Sequence, residues 1–93
     1  MKFNELKFTS HPSGIPGTQA TVFFPNGYGA SVITGKSFYT SPATPYELAV
    51  LRGDRDKFDI AYDTHITNDV LGYLTESDVE VVLNQIEALE QEK

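Results

Sequence analysis

The stretch Ala20-Thr-Val-Phe-Phe-Pro-Asn-Gly-Tyr-Gly-Ala-Ser-Val32, ATVFFPNGYGASV, decides the fold. Ala20, Val22 and Phe24 alternate with Thr21 and Phe23, and Tyr28, Ala30 and Val32 follow on even positions. Alternation with period two is the signature of a strand with one buried face. Two turns compete for the join. A two-residue Asn-Gly turn would set Phe24 opposite Gly29 and Val22 opposite Ser31, apolar against polar. A three-residue loop, Pro25-Asn26-Gly27, sets Phe24 opposite Tyr28, Val22 opposite Ala30 and Ala20 opposite Val32. The second register gathers the apolar set on one face and is preferred, because a one-residue slip turns every side chain over. The loop chemistry agrees: Pro suits the first corner of a type I turn, and Gly27 can take the left-handed bulge position.

Outward from this hairpin the pattern continues. His11-Pro-Ser-Gly-Ile-Pro-Gly17 and Thr40-Ser-Pro-Ala-Thr-Pro45 are loop-forming. Leu6 and Phe8 are expected to add an N-terminal strand. A second hairpin has Tyr46, Leu48 and Val50 on one face, then Phe58, Ile60 and Tyr62, with Arg52-Gly-Asp-Arg-Asp56 as its polar tip. Thr67-Asn-Asp-Val-Leu71 is expected to make a short turn of helix. From about residue 75 to about 90 the chain reads as helix. Thr75 is the N-cap, and Asp78 stands three residues later as an acidic variant of the capping box. Val79, Val82, Leu83, Ile86 and Leu89 form one stripe, with Glu76, Glu80, Glu87 and Glu90 off it. The expected architecture is α+β: a single domain over residues 1–93, an antiparallel sheet of four to five strands, and one C-terminal amphipathic helix packed on it. Phe3, Phe8 and Tyr73 are expected to fill the edges of this core.

Composition narrows the function classes. The chain of 93 residues has no Cys, which removes disulfides, thiolate zinc sites and Cys nucleophiles and is compatible with a reducing cytoplasm. No apolar run is long enough to span a membrane, and the start MKFNELKF lacks a signal-peptide core. The net charge of -6 is uneven: residues 1–57 carry six Lys/Arg against four acids, and residues 58–93 carry nine acids against Lys93. Such a surface disfavours direct contact with nucleic acid and favours a basic protein partner.

Three motifs invite a sharper function. Ala30-Ser-Val-Ile-Thr-Gly-Lys-Ser37 fits a relaxed P-loop pattern. Val32 and Ile33 are β-branched and prefer an extended backbone, no helix starts after Lys36-Ser37, and no βαβ unit surrounds them. The stretch reads as a strand running into a Gly-Lys turn, with no nucleotide bound. Arg52-Gly53-Asp54 matches an adhesion tripeptide but reads as hairpin chemistry. His11 and His65 are the only histidines. His65 lies near Asp63 and Asp69, a spacing open to base catalysis or metal binding but nonspecific for either. The reading is a loop histidine among solvated acids. No catalytic residues, cofactor or metal are expected.

The candidate partner-binding residues are therefore the acids Asp63, Asp69, Glu76, Glu80 and Glu87 and the off-register aromatics Phe38 and Tyr39. Carboxylates spaced on a small rigid domain can imitate the phosphates of DNA and steer a basic partner. Aromatic side chains on a loop can anchor one. A single helix does not cover five strands, so an open edge and a homodimer are expected.

The blocks Asn26-Gly-Tyr-Gly-Ala-Ser-Val32, Tyr46-Glu-Leu-Ala-Val-Leu51 and Tyr62-Asp-Thr-His-Ile-Thr-Asn-Asp-Val-Leu-Gly-Tyr-Leu74 resemble small, uncharacterised proteins encoded by tailed bacteriophages. The third block departs from that pattern, with His65 and Asn68 where Pro and Asp are expected. The resemblance implies a phage accessory protein in the cytoplasm of an infected bacterium, acting by binding. Combined with size and acidity, it leads to a protein that binds and inhibits a host protein, for example a nucleic-acid-acting defence enzyme. A small-ligand-binding module working as an oligomer and a phage structural or assembly component are the alternatives.

Overall fold

The computed structural model describes residues 1–10, 17–35, 42–64, 66–67 and 70–90. The chain is an α+β protein: an antiparallel sheet with one C-terminal helix packed against it. In chain order the elements are a 3-10 turn (Phe3–Glu5), β1 (Thr9–Ser10), β2 (Thr18–Phe23), β3 (Tyr28–Thr34), β4 (Tyr46–Gly53), β5 (Phe58–Ile60), β6 (Leu71–Leu74) and α1 (Glu76–Glu87). The sheet runs β1-β2-β3-β4, and β5 and β6 both pair with β4.

The β2–β3 register is the one that collects the apolar set: Val22 faces Ala30 and Ala20 faces Val32. The loop closes through Phe24 N–H to the Tyr28 carbonyl (2.7 Å), and Gly27 takes φ 86°, the left-handed position expected of it. Val32 and Ile33 lie inside β3, so the middle of the P-loop-like octapeptide is extended strand. Lys36 falls outside the described residues.

Ala20, Ala30, Val32, Leu48 and Val50 make the floor of the core, and Val79, Val82, Leu83 and Ile86 of α1 close it. The helix begins as its sequence dictates. Thr75 Oγ1 accepts from Asp78 N–H (3.1 Å), and Asp78 Oδ2 accepts from Thr75 N–H (3.0 Å). It ends at Glu87, short of the expected 90. Asn26, in the β2–β3 loop, donates from Nδ2 to the carbonyls of Ile86 (2.9 Å) and Leu89 (3.1 Å), taking up groups that a longer helix would have used.

Four expectations need correction. Leu6 and Phe8 do not form a strand. The turn at Phe3–Glu5 drops Leu6 into the core, and only Thr9–Ser10 pairs with β2. Leu71 opens strand β6 instead of ending a helical turn; Asn68 and Asp69 lie outside the described residues. Phe3 and Phe8 do fill the core's edge, with Tyr46, at centroid distances of 5.1–5.9 Å. Tyr73, however, is 57% exposed.

The fourth correction concerns β5. A tip of five residues would have set Phe58 opposite Val50, on the core face. Instead Asp54 N–H bonds the Lys57 carbonyl (3.0 Å), Gly53 faces Phe58 and Leu51 faces Ile60. The Asp54 carboxylate holds this tight tip by accepting from the N–H groups of Asp56 and Lys57. The register is displaced by an odd number, so Ala61 meets Val50 on the core face and Phe58 and Ile60 turn to the other.

Candidate binding surface

Strand alternation gives the sheet a second face, away from α1. Across it, neighbouring strands align Phe23, Gly29, Leu51 and Ile60 in one row, and Thr21, Ser31 and Ala49 in the next. Gln19, Ile33 and Glu47 form a third row. Gln19 Nε2 donates to Ser31 Oγ (2.7 Å) between rows. A groove of about 260 Å³ runs over this face, with Leu51, Ile60, Ile33 and Val70 among its lining residues and Glu47 at its polar end. Leu51 is 2% exposed and Glu47 7%, whereas Phe58 is 46% and Ile60 39% exposed. Two larger hollows, of about 400 and 420 Å³, lie at the N-terminal segment beside β2 and at the end of α1 beside Asp63.

Glycine shapes one end of this face. Phe23 on β2 and Phe58 on β5 have two strands, β3 and β4, between them in the sheet order, yet their rings meet at 5.2 Å. The Phe23 ring lies over Gly29, its partner on β3, and Phe58 faces Gly53 on β4. A Cβ on Gly29 would stand 2.8 Å from the Phe23 ring, and Gly53 has φ 127°, which side chains rarely adopt. The Arg55 guanidinium caps the pair, 5.7 Å from the Phe23 ring centre.

The acids expected to bind a partner have other occupations. Arg52 Nη2 donates to Asp63 Oδ1 (2.7 Å) and to the Tyr28 hydroxyl (3.3 Å). The hydrogen bond from Arg52 holds the Asp63 carboxyl below its ordinary range, and the same contacts push the guanidinium up. Glu80 is half-buried and accepts the Phe3 N–H (2.7 Å). Glu87 accepts from the Met1 amino group (2.8 Å) and raises that amine above its usual value. Glu80 and Glu87 therefore fasten the N-terminal segment to the helix. Asp78, lowered by the Thr75 N–H, serves the cap. Glu76 is exposed in the first turn of α1. Its charge adds to the burial that raises the Tyr46 hydroxyl. Asp69, Phe38, Tyr39, His11 and His65 lie outside the described residues. Among the described acids, Glu76, Glu80 and Glu87 follow one another on α1 at spacings of four and seven residues, and Asp63 is paired with Arg52.

Alternation alone assigns Phe58 and Ile60 to the core. The signal that places them outside is Asp54-Arg-Asp-Lys57, a tight-turn sequence with an Asp whose side chain can cap its own turn. Among the described residues no group of three or more His, Cys, Asp or Glu is placed to hold a metal ion, and no helix is long and apolar enough to cross a membrane. No protein-family model, curated protein or solved structure matches the chain.

Proposed function

We propose that this chain is a non-catalytic binding protein of phage origin that works as a homodimer in the host cytoplasm, binding and inhibiting a host protein with a basic surface. A nucleic-acid-acting defence enzyme is the first target class to test. The phage setting rests on the sequence resemblance alone. The binding reading rests chiefly on one observation: Phe58 and Ile60 are exposed beside the buried Leu51, on a sheet face that α1 does not cover. Exposed aromatic and aliphatic side chains around a groove are what an anchor residue of a partner needs. The net charge of -6 supplies attraction at longer range.

The test is affinity capture from infected bacteria, comparing the wild-type chain with a Phe58→Ser/Ile60→Ser variant. A specific host protein retained by the first and lost by the second supports the reading. Retention by both, or by neither, removes the sheet face as its basis.

A second reading is a small-ligand-binding module. The groove, with apolar walls and polar groups at one end from Glu47, Gln19 and Ser31, favours it. Thermal shift against nucleotides and small amines distinguishes the two, because only this reading expects stabilisation without a protein partner.

A further inference from the structure

In β5 the backbone groups fall into two sets. Ala61 N–H bonds the Val50 carbonyl (2.7 Å), the Lys57 carbonyl accepts from Asp54, and Asp59 faces Arg52 between them. Residues 57, 59 and 61 therefore turn their hydrogen-bonding groups toward β4, and Phe58 and Ile60 turn theirs away. Among the described residues no strand pairs with that outer edge. All of residues 57–60 are exposed. An edge of this kind is a template for another strand unless its side chains prevent pairing.

The side chains select a partner. Lys57 and Asp59 lie on one face of the edge and carry opposite charges; Phe58 and Ile60 lie on the other. Antiparallel pairing of two copies is two-fold symmetric, so one residue must face its own counterpart. If that residue is Asp59, two carboxylates stand directly opposite each other at the closest strand approach, which is destabilising. If it is Ile60, Asp59 faces Ala61. If it is Phe58, each Lys57 faces Asp59 of the second copy, twice, and the two Phe58 side chains stand together on the groove face. Phe58 and its counterpart then exchange both backbone hydrogen bonds, as their outward-facing groups require.

We infer that the chain self-associates through β5 in the register centred on Phe58, joining the groove faces of two copies into one surface. The inference rests on the homodimer reading above and specifies its interface. Charged residues at a sheet edge ordinarily block pairing. Here their alternation is self-complementary in a single register and repulsive in the neighbouring one.

The absence of native Cys makes the register directly readable. Opposed residues of a hydrogen-bonded pair have Cα atoms about 5.5 Å apart, within the roughly 4.4–6.8 Å that a disulfide spans. Under mild oxidation Phe58→Cys should form a disulfide-linked dimer. Ile60→Cys should not, because the two Ile60 positions lie roughly 14 Å apart in this register. Asp59→Cys should not form one efficiently either. Lys57→Asp and Asp59→Lys should each weaken association about fivefold, and the double variant should restore it. Sedimentation of the wild-type chain separates the two levels of the reading. A monomer at all concentrations removes both the homodimer and this interface. A dimer in which Phe58→Cys stays reduced, or Ile60→Cys links instead, removes the interface alone. Circular dichroism of each variant checks folding. The charge swap decides the matter if a cysteine variant is unfolded: failure of the double variant to restore association overturns the register.

Discussion

The two faces of the sheet use the same strands in opposite ways. Toward α1, β2, β3 and β4 present Ala20, Ala30, Val32, Leu48 and Val50, aliphatic side chains in regular opposition, all buried. On the far face the same strands present Phe23, Gly29, Leu51 and Gly53, an alternation of very large and absent side chains. Small residues facing small ones let the helix approach closely and close the first face. Gly29 beneath the Phe23 ring lets Phe23 and Phe58 lean together, and α1 lies on the opposite face. The difference separates a surface that folds the protein from one that is left to contact something else. It also shows that hydrophobicity alone does not identify a core, because Phe58 and Ile60 are as apolar as Leu48 and Val50.

Truncation should separate the faces most sharply. Leu83→Ala or Leu48→Ala removes a fully buried side chain and should cost about 2–5 kcal/mol in urea unfolding. Phe58→Ala should cost less, about 1–2 kcal/mol, since nearly half of its surface is already in water. Equal losses at the two sites would erase the distinction. Next in size is Gly29→Ala, which inserts a methyl group 2.3 Å from the Val22 carbonyl oxygen and should cost about 1–3 kcal/mol by forcing the strands apart. Asn26→Ala should cost about 1–2 kcal/mol, because it leaves carbonyls at the end of α1 without their donor. Loss of amide protection at Asn84–Leu89 and at Tyr28, whose N–H donates to Asn26 Oδ1 (3.1 Å), would confirm that cause.

A smaller effect, of opposite sign, is expected at β6. Tyr73 has φ 57° at a bulge, where Tyr46 and Leu48 of β4 enclose one residue while their partners Leu74 and Leu71 enclose two. Left-handed backbone costs a non-glycine residue roughly 1–2 kcal/mol, and glycine's own entropy returns part of that. Tyr73→Gly should therefore stabilise the fold by up to about 1 kcal/mol, a gain that no truncation on the helix-side face should give.

The pH dependence is smaller again and also discriminates. Asp63 and Asp78 both have carboxyls lowered from 3.8, the first by Arg52 and the second by the Thr75 N–H. A lowered acid stabilises the folded state fully above its unfolded pKa and loses that contribution as pH falls through its folded pKa. Stability should thus decline below about pH 4, and the decline should be shallower in Asp78→Asn. An unchanged acid limb in that variant would show that the cap does not carry charge-dependent stability.

Much of this was legible in the sequence. The β2–β3 register followed from Val22, Ala30 and the demands of Gly27, and the start of α1 from Thr75 and Asp78. These are local signals, each complete within a few residues. The face of β5 was not legible by alternation, because its phase depends on how many residues Asp54-Arg-Asp-Lys57 spends in the turn. Nor was the fate of the acids. Glu80 and Glu87 have the spacing of a solvent-facing row, but they meet an N-terminal segment more than seventy residues away in sequence. Contacts at that separation leave no periodic trace. Gly29 and Gly53 gave a partial hint, since glycine within a strand marks a close approach, though not which side chains would approach.

The most direct test of the account is the equilibrium affinity of the captured host protein for two variants, measured across salt concentrations. Phe58→Ser/Ile60→Ser alters the far face, and Glu76→Lys/Glu90→Lys alters exposed acids that make no fold-holding contact described above. The account predicts at least a tenfold loss, about 1.4 kcal/mol, for the far-face variant, with its salt dependence unchanged. For the acid variant it predicts slower association and a flatter salt dependence, with a smaller loss of affinity. Full affinity in the far-face variant together with abolished binding in the acid variant would contradict it.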